Sequence, residues 1–246
     1  MPDYDFRTTR LYVDAPLHDG AVVALDRSQS HYLRRVLRLK DGQAILVFNG
    51  RDGEWRATLE GGARQVALRV TNRTRPQTTA GDLHYLFAPL KSARLDYMVQ
   101  KAVEMGVSQL RPVLTQHAQI ARVNLERMRA NAIEAAEQCG ILCLPEIAAP
   151  VPLTRAIAAW RPERHLVFCD EAADVADPLA ALATVPRHAP LAVLIGPEGG
   201  FAPDERAALL KLPRVMRLAL GPRILRADTA AVAALGLVQA VIGDWR

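Results

Sequence analysis

A glycine-rich segment after an apolar run is the clearest candidate for a chemical role in this 246-residue chain. The segment reads Leu194-Ile-Gly-Pro-Glu-Gly-Gly-Phe201, and a helix-forming stretch begins at Pro203. Glycines between a strand and a helix let backbone groups approach a ligand at the carboxyl end of a parallel sheet. The patterns of a P-loop and of a dinucleotide-binding turn are both missing. Glu198 suits a cation better than a phosphate, so we predict a ligand-binding turn; an ordinary tight turn is the alternative.

A second segment, Leu218-Ala-Leu-Gly-Pro-Arg-Ile-Leu-Arg-Ala-Asp-Thr229, repeats this organisation. A predicted strand ends at Leu220, and two arginines flank an apolar pair before the next helix. Asp228 or Thr229 could cap that helix. Packing explains two arginines in such a loop poorly, whereas phosphate or a base would explain both.

Basic residues are concentrated at the N-terminal end of the chain. Residues 1–75 contain 13 basic and 9 acidic residues and so carry four of the five net positive charges. Arg34, Arg35 and Arg38 fall within about one turn of a helix predicted at residues 28–38. This pattern indicates contact with a polyanion, and a solvated helix face is the alternative.

Composition sets limits on the class of protein. Half of the residues are apolar and only 5% are aromatic, which favours helices packed on a mainly parallel sheet. No apolar stretch approaches the roughly 18 residues of a membrane span, and the N-terminus does not resemble a secretory leader, so we expect a soluble cytosolic protein. Cys139, Cys143 and Cys169 lack zinc-site spacing, and we interpret them as buried thiols. We therefore expect no metal.

The first part of the chain has the pattern of a small barrel of short strands. Strands are predicted at residues 10–13, 44–48, 54–59 and 65–70, with Asp-Gly turns between several of them. The polar stretch 71–81 is interpreted as a linker.

From residue 83 onwards, apolar runs alternate with helical patterns. Strands are predicted at 83–88, 109–114, 165–169, 191–196 and 214–220, and helices at 92–105, at about 124–139, from 203 and at about 228–242. This alternation predicts an α/β domain with a parallel sheet, which would place both candidate loops at one edge.

Five segments carry a family resemblance: His31 with Val36-Leu-Arg-Leu-Lys40, Gln100-Lys-Ala-Val-Glu-Met-Gly-Val107, Glu134-Ala-Ala-Glu-Gln138, Gly196-Pro-Glu-Gly-Gly-Phe201 and Leu220-Gly-Pro-Arg-Ile-Leu-Arg226. Together they resemble the 16S ribosomal RNA uridine-N3 methyltransferase family of the SPOUT class. The similarity spans nearly the whole chain. It implies a PUA-like RNA-binding β-barrel domain at residues 1–72 and a SPOUT methyltransferase domain at 73–246, whose parallel sheet ends in a C-terminal deep trefoil knot.

The resemblance also implies S-adenosyl-L-methionine (SAM) as cofactor, bound in the knot, and a homodimer paired through the last helix. The implied cofactor-binding residues are Leu194, Gly196, Pro197, Glu198, Gly199, Gly200, Leu218, Leu220, Gly221, Ile224 and Leu225. The implied substrate is a uridine of 16S rRNA, within the 30S subunit, gripped by Arg10, His31, Arg34, Arg35, Arg38, Arg223 and Arg226.

For catalysis, we predict roles for Arg226 and Glu198. Arg226 would stabilise the uridine anion, and the proton acceptor is left open among Glu198, Asp228 and water. Phe201 either stacks on the flipped base or packs beneath the following helix. His117 either lines the site or is simply a loop histidine.

The chain departs from the family pattern twice, with Ala227-Asp228 where Thr-Glu is usual and Ile141 where an arginine is common. Two rival interpretations remain. A non-catalytic RNA-binding protein on the same fold would be expected to have a disrupted glycine-rich loop. A SPOUT enzyme that acts on another RNA would be expected to show different loop motifs. An RNA-free small-molecule methyltransferase would leave the basic N-terminal third unexplained.

Overall fold

The computed structural model describes residues 5, 7–62, 66–120, 122–173 and 177–245, and it divides into two compact units. The N-terminal unit ends at Thr79 and also contains Ala136–Leu144. The C-terminal unit comprises Ala80–Ala135 and the chain from Pro145 onwards. The division predicted between residues 72 and 73 falls inside a strand, which extends to Arg75.

The N-terminal unit contains a five-stranded sheet. Its strands are β1 (Arg10–Tyr12), β2 (Val22–Ala24), β3 (Ala44–Phe48), β4 (Glu54–Glu60) and β5 (Ala67–Arg75), in the order β1-β3-β4-β5-β2. Only the β1–β3 pairing is parallel. The sequence missed β2, which has three residues of which only the central one is buried. The predicted strand at 65–70 begins at a residue outside those described, and the structure continues it through residues 71–75, which the sequence pattern assigns to a linker.

The five strands share one hydrophobic core. Alternate residues point inward, so Leu11, Val23, Ile45, Ala57 and Leu68, one from each strand, belong to a single buried cluster. Because both edge strands contribute to it, the sheet wraps around its core in a barrel-like way.

The prediction of an α-helix at residues 28–38 is wrong for the second half of that segment. Helix α1 covers only Arg27–His31, and wider π-helical turns follow at Tyr32–Val36. Asp26 and Gln29 form a reciprocal cap at its start. Arg38 has a left-handed backbone with φ of 57°, which ends the helical segment. Arg34 and Arg38 are therefore not neighbours on one α-helical face.

The C-terminal unit is built on a parallel sheet in the order β12-β10-β11-β6-β7-β8, with β9 paired to β7. The strands are β6 (Leu83–Phe87), β7 (Gln109–Leu114), β8 (Glu146–Ile147), β9 (Val151–Pro152), β10 (His165–Cys169), β11 (Leu191–Ile195) and β12 (Val215–Leu218). The helices are α2 (Ser92–Glu104), α3 (Leu125–Cys139), α4 (Leu153–Ala158), α5 (Pro178–Ala183), α6 (Pro203–Leu210) and α7 (Ala227–Val241).

The predicted α/β pattern is confirmed, with all five predicted strands and all four predicted helices present within a few residues of their predicted bounds. The sequence missed β8, β9, α4 and α5, each of which has two to six residues. Strand β11 is buried along its whole length between β10 and β6, as its uninterrupted apolar run requires. Within the part of the chain that is described, no helix has the length and apolar content to cross a bilayer.

Candidate functional site

The carboxyl ends of β10, β11 and β12 surround a cavity of about 400 Å³, which we call the loop cavity. It is lined by residues 169–171 after β10, 195–201 after β11 and 218–225 after β12, together with Ala227 and Ala230 of α7. Because these strands are parallel neighbours, the turns that follow them meet at one edge of the sheet. The structure thus brings together the two glycine-rich segments identified in the sequence.

The first glycine-rich loop is shaped by close packing against an aromatic ring. A Cβ atom at Gly196 would lie 2.5 Å from the Phe201 ring, so a larger residue fits only if the ring or the loop shifts. Phe201 packs edge-to-face on Phe168, with ring centroids 5.1 Å apart. Of the two roles considered for Phe201, the structure therefore supports packing. Gly200 has a φ of 71°, and its N–H donates to the carbonyl of Pro197 over 2.9 Å.

Ten of the eleven predicted cofactor-binding residues line the loop cavity. The exception is Leu194, whose side chain is completely buried in the hydrophobic core, so its role in cofactor binding stays a prediction. Sequence reasoning missed Cys169, Asp170 and Glu171. These residues stand at the carboxyl end of the predicted strand 165–169, and this position is the one sequence feature that could have identified them.

Asp170 anchors the floor of the cavity. Its carboxylate is buried and accepts hydrogen bonds from Arg206 (2.9 Å) and Arg217 (2.8 Å). Burial alone would raise the pKa of Asp170, but these hydrogen bonds outweigh it and lower the pKa below its usual value. Burial raises the pKa of the neighbouring Cys169 thiol to about 12. The cavity floor therefore carries a fixed anion beside a neutral thiol.

Cys139 lies in the N-terminal unit and is exposed, so the prediction of a buried thiol is wrong for this residue.

The second loop presents its side chains outward. Gly221 has a φ of 91°, and Ile224 beyond it is 98% exposed although it lines the cavity. Arg223 also lines the cavity, whereas Arg226 does not. Arg226 is exposed, directly precedes α7, and makes no side-chain hydrogen bond or ion pair with another described residue. A free cation at a helix N-terminus beside the cavity is well placed to meet an anion.

Two carboxylates near the cavity share one arginine of α2. Arg94 Nη1 lies 2.5 Å from Glu198 Oε1, while its Nε and Nη2 lie 3.0 and 3.2 Å from the two oxygens of Asp228. The hydrogen bonds from Arg94 lower the pKa of Asp228. A carboxylate held in this way is a poor proton acceptor, which argues against Asp228 as the base. Asp228 also does not occupy the N-cap position, where Arg226 stands. The sequence did not point to Arg94, because it lies 104 residues from Glu198.

His117 holds the first loop from the other side. Its Nδ1 lies 3.1 and 3.2 Å from the carbonyl oxygens of Gly199 and Gly200. A Cβ atom on Gly199 would come within 3.3 Å of His117 Cβ. His117 is therefore a contact of the glycine-rich loop rather than an isolated loop histidine.

Two of the arginines predicted to bind RNA are occupied within the N-terminal unit. Arg10 is 7% exposed, and its Nε donates to Glu54 over 2.6 Å, so its assignment is corrected. Arg34 donates to the carbonyls of Leu39 and Gly61 and pairs with Asp41. Neither guanidinium is free to meet a phosphate in this structure.

The other basic residues of this segment are open to solvent. His31, Arg35 and Arg38 are exposed, and Val36 between the two arginines is also exposed. Exposed cations on one short segment form the best candidate surface for a polyanion in this unit.

No group of three or more His, Cys, Asp or Glu residues among those described could hold a metal ion.

Comparison with known proteins identifies the class. A family model described as an RNA methyltransferase domain matches residues 77–239, which include the loop cavity, and an RNA methyltransferase PUA domain model matches residues 25–71. The chain therefore belongs to the RNA methyltransferase family.

More specifically, the ribosomal RNA small subunit methyltransferase E of Mycobacterium bovis is 30% identical, over 95% of this chain and 92% of that protein. The Neisseria gonorrhoeae enzyme of that name, solved with SAM bound, shares the fold with a TM-score of 0.86 and 23% identity over 98% and 100% of the chains. The Legionella pneumophila protein Lpg2936, also solved with SAM, gives 0.82 and 28% over 95% and 98%. The chain belongs to the family of ribosomal RNA small subunit methyltransferases E.

Proposed function

We propose that the chain is a SAM-dependent methyltransferase that modifies N3 of one uridine in 16S ribosomal RNA. The observation that carries the proposal is the loop cavity, in which two glycine-rich loops and the end of β10 meet at the carboxyl edge of a parallel sheet. This is the position at which open α/β sheets bind ligands, and relatives of the chain were solved with SAM.

The lining of the loop cavity suits SAM. The apolar residues Ile195, Leu218, Leu220 and Leu225 line the cavity and suit a flat base. Glu171 and Glu198 add two carboxylates, which favour the positive sulfonium and amino groups of SAM over a phosphate ligand. The glycine that packs on Phe201 keeps the loop close to this space.

SAM supplies the methyl group as an electrophile, so the protein has to position the uridine, exclude water and stabilise charge. Loss of the N3 proton leaves negative charge on the uracil ring. We assign its stabilisation to Arg226, supported by the N-terminal dipole of α7. Glu198 is assigned to the cofactor side of the cavity, because Arg94 already occupies one of its oxygens. With both carboxylates engaged, water is the proton acceptor that we favour.

The exposed segment with His31, Arg35 and Arg38 is the proposed contact with the rRNA backbone. The basic excess of residues 1–75 supports this role, because phosphate contacts dominate the affinity of RNA-binding modules. The match of the PUA domain model to residues 25–71 includes the same segment. We propose 16S rRNA within the 30S subunit as the substrate.

The last helix supports a homodimer. Val232, Ala233 and Leu237 of α7, together with Trp245, line an apolar groove, and Trp245 is 55% exposed. A second copy of the chain would cover this surface. Light scattering at low micromolar concentration should give about twice the chain mass of 27.0 kDa, and Leu237→Asp should give the monomer.

We also infer the knot implied by the resemblance, since α7 returns from the edge strand β12 to pack against α2 and β11.

The cofactor assignment is tested by titration calorimetry of the purified chain with SAM. We expect binding without RNA, and a loss of roughly tenfold or more in affinity for Gly196→Ala, whose added methyl group meets Phe201. Gly81→Ala is the matched control, because its added methyl group has no neighbour within 4 Å. No binding to the wild-type chain at millimolar SAM would refute the assignment.

The substrate is tested in cells. Mass mapping of rRNA from a strain without the gene should show one missing methyl group on a small-subunit uridine, restored fully by the wild-type gene and only incompletely by Arg226→Ala. Loss of a methyl group from a tRNA or a ribose instead would favour the rival SPOUT activity.

A further inference from the structure

One arginine of α2 connects the two loops of the cavity from outside. Glu198 belongs to the loop after β11, and Asp228 belongs to the first turn of α7, next to the cavity-lining Ala227. Arg94 donates to both carboxylates but is not one of the described residues that line the cavity. It therefore ties together two walls of the cavity that are 30 residues apart in the chain.

The geometry uses the full fork of a guanidinium. Nε and Nη2 grip both oxygens of Asp228, and Nη1 is left for Glu198. A lysine ammonium is a point charge and could not reproduce this fixed arrangement. The side chains of Arg94 and Glu198 are 32% and 38% exposed, so the bridge gains little from burial. What it provides is a fixed distance between the two loops.

The charge of the bridge is also unbalanced, with two carboxylates for one guanidinium. Of the two carboxylates, Glu198 lines the cavity and Asp228 does not. A ligand cation would thus meet a carboxylate that Arg94 has already oriented before the ligand binds.

We propose that Arg94 is a positioning residue of the methyltransferase, which holds the glycine-rich loop and the start of α7 at the separation that SAM requires. The inference rests on the proposed function. Through Asp228, Arg94 also fixes the turn that carries Arg226, so loss of the bridge loosens the anion-stabilising side chain as well as the cofactor loop.

The same helix provides a matched control. Asp96, two residues along α2, accepts hydrogen bonds from Arg127 of α3 at 2.9 Å from Nε and 2.6 Å from Nη2. This pair is as well formed as the Arg94 bridge, although the Arg127 side chain is 59% exposed against 32% for Arg94, and neither partner lines the loop cavity. Arg127→Ala therefore removes an ion pair of the same kind from α2 without touching either loop.

The first experiment measures hydrogen–deuterium exchange on the protein without cofactor. Arg94→Ala should raise amide exchange in residues 198–201 and 228–230 by roughly fivefold or more, because both segments lose one tether. Arg127→Ala should leave these segments unchanged. Equal exchange in wild type and Arg94→Ala would overturn the proposal, whether or not the protein binds SAM.

The second experiment measures the affinity for SAM and for its neutral demethylated product. Arg94→Ala should weaken both ligands by roughly tenfold, since the loop geometry serves both. Arg94→Lys should recover only part of this loss. Glu198→Gln should weaken SAM more than the product, because it removes a carboxylate near the sulfonium and leaves the Asp228 grip intact. Thermal unfolding should place Arg94→Ala and Arg127→Ala at similar melting temperatures.

A double-mutant comparison shows whether Arg94 acts through its partner. If it does, Arg94→Ala combined with Asp228→Asn should weaken SAM no more than the worse single variant. Fully additive losses, or normal SAM affinity in Arg94→Ala, would refute the positioning role. Failure of the wild-type chain to bind SAM would instead refute the proposed function, while the exchange experiment would still decide the role of Arg94.

Discussion

Two three-membered clusters of arginines and carboxylates, one from each unit, are built in opposite proportions. In the N-terminal unit, Arg10 and Arg75 both donate to Glu54, whose carboxylate is 2% exposed. In the C-terminal unit, one half-exposed arginine, Arg94, serves Glu198 and Asp228. A buried anion with two cations is satisfied and closed to ligands, whereas a solvent-accessible cation with two anions leaves negative charge facing a cavity.

The comparison shows why arginine counts alone misassign function. Arg10 and Arg226 are both arginines beside a strand or helix end, and the sequence suggested RNA contact for both. One lies inside a packed cluster and the other is solvent-exposed without a partner among the described residues. The burial of each arginine and the number of carboxylates that pair with it distinguish a structural role, as for Arg10, from a role in chemistry, as for Arg226.

The largest effect should come from the buried cluster. Glu54→Gln leaves two guanidinium groups buried without their anion, which should lower the free energy of unfolding by about 3–5 kcal/mol in urea denaturation. Glu60→Gln, which breaks an exposed pair with Arg69 in the same sheet, should cost about 1 kcal/mol or less. Similar losses for the two variants would contradict the comparison.

The same cluster predicts a pH dependence. Burial alone would raise the pKa of Glu54, but hydrogen bonds from Arg75, Arg10 and Thr74 outweigh it, so its pKa lies below 4.5 in the folded chain. A lowered pKa contributes stability above the unfolded value, and that contribution is lost as pH falls through the folded pKa. The difference between wild type and Glu54→Gln should therefore be full at neutral pH and shrink below about pH 4.5.

Strong periodic patterns determined how much of the fold could be predicted. The apolar run of β11 is uninterrupted and the helical stripe of α2 extends over 13 residues, so local propensity and burial agree and the predicted bounds differ by no more than one residue. Strand β2 and helix α4 are short and depend on tertiary contacts. The prediction of a helix to residue 38 failed because π-helical turns replace the α-helix after His31 and the left-handed backbone of Arg38 ends the segment, which no i, i+4 pattern reveals.

The candidate site divides in the same way. Glycine-rich loops are contiguous in sequence, and so the cavity-lining residues around Gly196 and Gly221 were found. Arg94 and Asp170 were missed because each acts through partners distant in sequence, such as Asp228 and Arg217. Only the topology of the sheet brings these side chains together.

The next largest effect separates chemistry from RNA binding. Arg226→Ala should lower the single-turnover methylation rate at saturating RNA by roughly tenfold to a hundredfold, with SAM and RNA affinities nearly unchanged, because its contact strengthens as the anion forms. Arg35→Ala with Arg38→Ala should weaken RNA binding and flatten its salt dependence by roughly one unit of slope per lost phosphate contact. Equal loss of rate and SAM affinity in Arg226→Ala would mean that this residue only anchors the loop.

The smallest expected effect concerns two adjacent arginines in the N-terminal unit. The Arg34 guanidinium donates hydrogen bonds to the carbonyls of Leu39 and Gly61 and to Asp41, whereas Arg35 is exposed. Arg34→Ala should therefore cost about 1 kcal/mol of unfolding free energy and leave the salt slope of RNA binding unchanged. Arg35→Ala should do the reverse, with stability unchanged within about 0.5 kcal/mol and the slope reduced by roughly one unit. Filter binding between 50 and 200 mM salt, a range over which phosphate contacts alter affinity strongly, measures both variants. A slope lowered equally by both would show that Arg34 leaves its internal partners to meet RNA, and the distinction between occupied and free arginines would then fail for this segment.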